Sequence, residues 1–224
     1  LSGWQAAAAA IATARRRQEH GSVAAHPISK GVFCLECDWW ADARHRYSME
    51  ALLDLLDQLT PPRCRHIHYD VSTREEFFFL LKKWAQKRYR SHPLLYLGFH
   101  GKPGALLLGS GKRAPQVTLE DIGEALAGKG NGRVILFGSC ETIRAVPWQR
   151  RKFLQTTQAL AICGYHREVD WMTSAAMDLI VLAAMQEFTF TITGINAIAA
   201  RIRERSRGLG RALGFRIYTR QGEA

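Results

Sequence analysis

Two short, uninterrupted apolar runs constrain this chain more than any other feature. One extends from Leu94 to Phe99 and ends on His100–Gly101; the other fills the strand read at 133–137 after its opening Arg133 and ends on Gly138–Ser139–Cys140. A run of this length without polar alternation reads as a strand covered on both faces, the pattern of a central strand in a parallel sheet.

Strands and helices alternate around these runs. Residues 31–37 read as a first strand and 47–59 as a helix with Met49, Leu52, Leu53, Leu56 and Leu59 on one stripe, closed by Pro61–Pro62. A second strand covers 65–69. Thr73 followed three residues later by Glu76 is a capping-box pattern, opening a helix to about Arg90. Between His100 and the second apolar run lie a short hairpin return at 105–108 and a helix at 118–127 capped by Thr118. A helix at 148–156, a strand at 159–163, a long apolar helix from Asp170 to about Phe188, a basic helix at 192–205 and a last strand at 215–219 follow. This order predicts an α/β fold with a mostly parallel central sheet flanked by helices. The expected organisation is an N-terminal extension, residues 1–27, and one domain, residues 28–224.

With 224 residues, 47% of them hydrophobic, the chain is long enough for one such domain with a buried sheet. Lys and Arg number 31 against 20 acidic residues, a formal charge of +11 that would attract nucleic acid, phosphorylated ligands or acidic surfaces. The basic residues cluster at 15–17, 82–90, 144–152 and 201–220, where they read first as solvated faces. Five cysteines, an odd number, argue against a disulfide framework and fit a reducing cytoplasm. The longest apolar stretch, Leu179 to Met185, is far too short to span a bilayer, so a soluble cytoplasmic protein without a membrane partner is expected.

In open parallel sheets the ligand crevice lies beyond the carboxyl ends of the strands. His100 and Cys140 each follow a buried run directly, and the single helix between them permits the two strands to be neighbours. A thiol is a weak nucleophile until ionised; a nearby imidazole removes its proton and returns it to a leaving amine. Gly101 would let a substrate approach the backbone, and its N–H together with that of Cys140 would hold an oxyanion. Alone, a strand-end cysteine reads as a small core hydrophobe and a strand-end histidine as structural. It is the conjunction that points to a nucleophile and its acid–base partner, a chemistry that calls for no cofactor and no metal.

The segments LLYLGFHG (94–101) and RVILFGSCE (133–141) resemble the histidine and cysteine strands of the caspase-like cysteine peptidases, the group of caspases, legumains, gingipains, separases and CHAT-type proteins. VFCLECDWW (32–40) and CGYHREVDW (163–171) are similar to a bacterial branch with this core. The resemblance implies a three-layer caspase-hemoglobinase-like fold, catalytic roles for His100, Gly101 and Cys140, and a protein or peptide substrate. The caspase motif Gln-Ala-Cys followed shortly by glycine is replaced here by Gly138-Ser139-Cys140-Glu141-Thr142, so specificity for aspartate does not carry over. In the family, the wall that selects the side chain before the scissile bond often includes the segment matching Tyr165–Trp171. Asp170 or Glu168 would then select Arg or Lys, although Asp170 also reads as the N-cap of the long helix. The resemblance further implies a latent bacterial antiphage defence effector, switched on by a small nucleotide signal. The charge alone supports a competing reading, a non-catalytic basic module binding nucleic acid or a phosphorylated ligand.

Three other motifs carry less. Cys34 and Cys37 sit in one strand and should face opposite sides, as core residues rather than zinc or redox ligands. Gly109-Ser110-Gly111-Lys112 lacks the spacing of a phosphate loop, with Arg113 where a hydroxyl is needed. His66 and His68 share a strand face, but no carboxylate or cysteine at ligand spacing accompanies them, and Asp70 and Glu75 read as turn and helix-start residues.

Overall fold

In chain order the strands are β1 (Val32–Glu36), β2 (His66–Asp70), β3 (Leu94–Gly98), β4 (His100–Lys102), β5 (Ala105–Leu107), β6 (Gln116–Thr118), β7 (Val134–Phe137), β8 (Ala161–Tyr165), β9 (Phe215–Thr219) and β10 (Gly222–Glu223). The helices are α1 (Glu50–Leu59), α2 (Arg74–Trp84), α3 (Leu119–Ala125), α4 (Pro147–Thr157), α5 (Trp171–Glu187), α6 (Ile192–Ser206) and α7 (Leu209–Ala212). These come from a computed structural model that describes residues 29–39, 44, 47–59, 63–111 and 113–224; the extension expected at 1–27 lies outside the described residues.

Seven strands form the main sheet in the order β2-β1-β3-β7-β8-β9-β10. The pairings of β1 with β2 and β3, of β3 with β7 and of β7 with β8 are parallel, while β9 and β10 add an antiparallel edge. Alternate residues of the buried strands enter opposite layers. Val32, Cys34, Leu94, Tyr96, Val134 and Leu136 join Leu53, Leu56, Met177, Val181 and Ile198 in the layer of α1, α5 and α6. Phe33, Leu35, Leu95, Leu97, Ile135 and Phe137 meet Phe77, Leu81, Ile122, Phe153 and Leu154 from α2, α3 and α4. Burial of both sheet faces is what makes these strands read as unbroken apolar runs. The α/β architecture is as the alternation predicts, with Cys34 and Cys37 in opposite layers.

Three local expectations need correcting. His100 does not end β3, which stops at Gly98; it opens β4, and the hairpin return expected at 105–108 is the middle of a separate three-stranded antiparallel sheet, β4-β5-β6. The helix begun by Thr73, whose side chain accepts from the Glu76 amide, stops at Trp84 rather than near Arg90. Arg133, buried over the Trp84 ring, donates to the carbonyls of Trp84 and Gln86 and satisfies the helix end there. Finally, α1 begins at Glu50 rather than near Tyr47: Ser48 accepts from the Glu50 amide at 3.0 Å and donates to Glu36, so the residues before Glu50 lead into the helix instead of forming its first turn.

Several basic side chains in the clusters are paired: Arg201 and Arg205 with Glu187, Lys152 with Glu120, and Arg144 with Glu141. Among the described residues no helix is long and apolar enough to cross a membrane.

Candidate active site

The chain reverses its direction of travel across the sheet between β1 and β3: β2 lies on one side of β1, and β3, β7 and β8 follow on the other. Such a switch point opens a crevice at the carboxyl ends of the strands. A cavity of about 480 Å³ lies there, lined by Trp39 after β1, His100 and Gly101 of β4, Gly109 and Ser110 after β5, Cys140 and Glu141 after β7, and Glu168 after β8. Of the five residues singled out from sequence, His100, Gly101, Cys140 and Glu168 meet in this cavity. Asp170 does not line it. Its carboxylate accepts from the Thr173 amide at 2.9 Å as the N-cap of α5, and that bonding to Thr173 holds it below the usual carboxylate range.

His100 is held by backbone. Its Nε2 is 2.8 Å from the Trp39 carbonyl oxygen, and the Trp39 indole stands edge-on to the imidazole with ring centroids 5.5 Å apart. A carbonyl can only accept, so Nε2 carries the hydrogen, and in the neutral ring Nδ1 keeps the basic lone pair. Tautomer and ring orientation are thereby fixed by one contact from the end of β1.

Cys140 sits where the chain leaves β7 in a tight turn. Glu141, with φ of 55°, occupies the left-handed region that side chains usually avoid, at a point that turns the thiol-bearing residue out of the strand line. The turn is tied to the β4–β5 hairpin. Ser139 donates to the Thr142 hydroxyl at 2.8 Å, the Thr142 hydroxyl lies 3.2 Å from the Ala105 carbonyl, and Gly104 donates its amide to the Thr142 carbonyl at 3.0 Å. Gly101 closes directly on this turn: a Cβ there would stand 2.2 Å from the Cys140 carbonyl oxygen and 2.4 Å from the Thr142 hydroxyl. Glycine at 101 is therefore a requirement of close approach between the histidine and cysteine segments.

Cys140 is the only one of the five cysteines that is not fully buried. Its sulfur donates to the Val169 carbonyl at 3.6 Å and accepts from the Val169 amide at 3.4 Å; His100 and Cys140 share no hydrogen bond. Burial pushes the thiol above its ordinary range; the amide of Val169 opposes this, and the carboxylates of Glu168 and Glu141 add to the rise. The resting sulfur is a neutral thiol facing two carboxylates across a partly enclosed cavity.

Sequence reading missed Trp39, Val169 and Thr142, which act through a backbone carbonyl, a backbone amide and a hydroxyl bridge. It also missed Glu36. This carboxylate, 1% exposed, accepts from the Trp39 indole at 3.2 Å, the Met49 amide at 3.1 Å and the Ser48 hydroxyl, and lies 2.5 Å from His68 Nε2. Ligand spacing in the sequence offers His66 and His68 no carboxylate partner, but the fold brings Glu36 to His68 from the adjacent strand. Among the described residues, Glu36, His68 and Asp70 have donor atoms close enough together, within 4.8 Å, for a metal ion. Glu36 and His68 are joined there by a hydrogen bond.

Residues 29–219 match the model of a family of unknown function, DUF6642. No curated protein sequence matches the chain. Among solved structures, the fold is similar to that of a secreted C11 cysteine protease from Bacteroides thetaiotaomicron, crystallised in complex with an irreversible peptide inhibitor. The TM-score is 0.53 at 12% identity over 86% of this chain, which spans 66% of the length of that protein.

Proposed function

This chain belongs to the DUF6642 family, and we propose that it is a caspase-like cysteine peptidase with Cys140 as nucleophile and His100 as its acid–base partner. One observation carries the reading. The partly exposed Cys140 and a histidine whose tautomer is fixed by the Trp39 carbonyl line one cavity at the carboxyl ends of adjacent parallel strands. The likeness of the fold to that of a C11 cysteine protease supports it.

In the proposed reaction Nδ1 of His100 takes the Cys140 proton and the thiolate attacks the scissile carbonyl carbon, forming a C–S bond. The amides of Gly101 and Cys140 stabilise the oxyanion. Collapse breaks the C–N bond as the imidazolium returns the proton to the departing amine. Water, deprotonated by His100, then attacks the thioester, and release of the acid restores the thiol. The thiol must first leave Val169 and turn toward His100.

Among the described residues the cavity carries the carboxylates of Glu141 and Glu168 and no Lys or Arg, so a cationic side chain before the scissile bond fits it best, with Glu168 rather than Asp170 as the selecting residue. Profiling a broad peptide library with wild type and Cys140→Ala tests the reading. Cleavage after Arg or Lys by wild type alone is expected. Equal cleavage by both proteins would exclude Cys140, and absence of both cleavage and labelling of Cys140 by a peptidyl electrophile would exclude a peptidase.

A further inference from the structure

Glu36 is the last residue of β1 and is almost wholly buried, yet no step of the proposed reaction uses it. A carboxylate in such a position is stabilised only when it is paired and its lone pairs are filled. Here the donors come from three different segments. The Ser48 hydroxyl and the Met49 amide belong to the approach to α1; Met49 N lies 3.1 Å from both carboxylate oxygens. His68 comes from β2, and the Trp39 indole from the turn that follows β1. The hydrogen bonds hold the Glu36 carboxyl below the usual range against the opposing effect of burial, and the same pairing raises His68.

The Trp39 contact links this buried group to the candidate site. Trp39 offers its indole N–H to Glu36 and its backbone carbonyl to His100, at 3.2 and 2.8 Å. Gly98, paired with Glu36 in the sheet, leaves room for both: a Cβ there would stand 3.0 Å from the Glu36 Cβ and 3.3 Å from the Trp39 ring. Trp39 is thus gripped at its side chain and used at its main chain. The grip on the indole holds the residue whose carbonyl His100 uses, and the His100 tautomer depends on the direction of that carbonyl.

We propose that Glu36 is a positioning residue for His100, anchoring the Trp39 indole so that the Trp39 carbonyl selects the Nε2–H tautomer and leaves Nδ1 free to take the thiol proton. The proposal rests on the peptidase reading for its consequence but not for its test. The imidazole nitrogens of His100 are read directly by long-range ¹H–¹⁵N NMR, with the signals assigned by their loss in His100→Asn. Wild type should give the widely separated nitrogen pair of a single Nε2–H tautomer. In Glu36→Gln, and independently in Trp39→Phe, the two signals should converge as tautomers mix, and kcat on any cleaved peptide should fall by on the order of 10²-fold with KM little changed. Trp39→Phe leaves the other bonds of Glu36 in place, so it serves even if Glu36→Gln fails to fold. An unchanged nitrogen pair in a folded variant of either kind overturns the proposal. Because the readout needs no turnover, converged signals in a protein that cleaves nothing would uphold the positioning and sink only the peptidase reading.

Discussion

The Cα of Gly101 faces the carbonyl oxygen of Cys140 so closely that a methyl group on it would stand 2.2 Å away. Neither the carbonyl nor the nearby Thr142 hydroxyl can retreat easily, since Thr142 is itself bonded to Ser139 and lies against the Ala105 carbonyl. Gly101→Ala should therefore displace the Cys140 turn as well as strain β4. A loss of about 1–3 kcal/mol in denaturant stability is expected, with more than a 100-fold loss of peptide cleavage. The same substitution at Gly132, which has nothing within 4 Å of a Cβ position and does not line the cavity, strains only its own backbone and serves as the control. Equal cleavage by Gly101→Ala and wild type would show that the two segments do not need this contact.

The thiol of Cys140 is raised by burial and by the Glu168 and Glu141 carboxylates. Alkylation consumes thiolate, so the rate of iodoacetamide labelling at Cys140 should climb with pH to a midpoint above that of a free cysteine. Replacing both carboxylates, Glu141→Gln with Glu168→Gln, removes part of the rise and should move the midpoint down. Labelling with a midpoint at or below that of free cysteine would mean that the thiol is already activated at rest.

Glu168 lies at the exposed rim of the cavity and Asp170 outside it. If a cationic side chain is selected there, Glu168→Lys should lower kcat/KM for Arg- and Lys-containing peptides by at least ~10-fold, an effect screened by salt. Asp170→Asn should leave the preference intact, because its carboxylate is spent on the Thr173 amide. Library profiles of the two variants separate these outcomes, and an unchanged profile in Glu168→Lys would remove Glu168 from specificity.

The parts of this molecule that were legible in sequence are those where one chemical property repeats. Leu94 to Gly98 and Val134–Phe137 are apolar because both sheet faces are covered, and that regularity exposed the fold, the central strands and the two polar residues that follow them. Cys34 and Cys37 could be assigned to opposite layers because side-chain direction in a strand alternates. Other features depend on contacts between distant segments. Trp39 serves through its main chain, which any residue type would supply, so its type gave no hint of the bond to His100. Glu36 meets His68 only because β2 pairs with β1, a contact between residues 32 positions apart that no local pattern encodes. The end of α2 at Trp84 is set by Arg133, 49 residues further along, and no local propensity encodes that.

Asp178, in the middle of the apolar helix α5, is fully buried between Tyr96 and Tyr165, whose hydroxyls lie 2.7 and 2.6 Å from its two carboxylate oxygens. Burial pushes its carboxyl up to about 7, against the opposing effect of both phenols. The hydrogen-bond count agrees: the Tyr165 hydroxyl also lies 3.1 Å from the Ser174 carbonyl and has only one proton to give. If that proton goes to Ser174, a protonated Asp178 donates to Tyr165 and accepts from Tyr96, and every group is satisfied without a buried charge. Because the folded value lies above the unfolded value of about 3.9, this contribution to stability is complete below pH 4 and is lost as pH rises through about 7, for a total of about 4 kcal/mol. Asp178→Asn reproduces the neutral donor and acceptor pattern without a titrating group. The stability of the variant relative to wild type should therefore rise between pH 4 and pH 8 by that amount, measured by urea unfolding at each pH. A difference that stays flat over this range would mean that Asp178 is ionised in the folded protein and that the phenols alone sustain its charge.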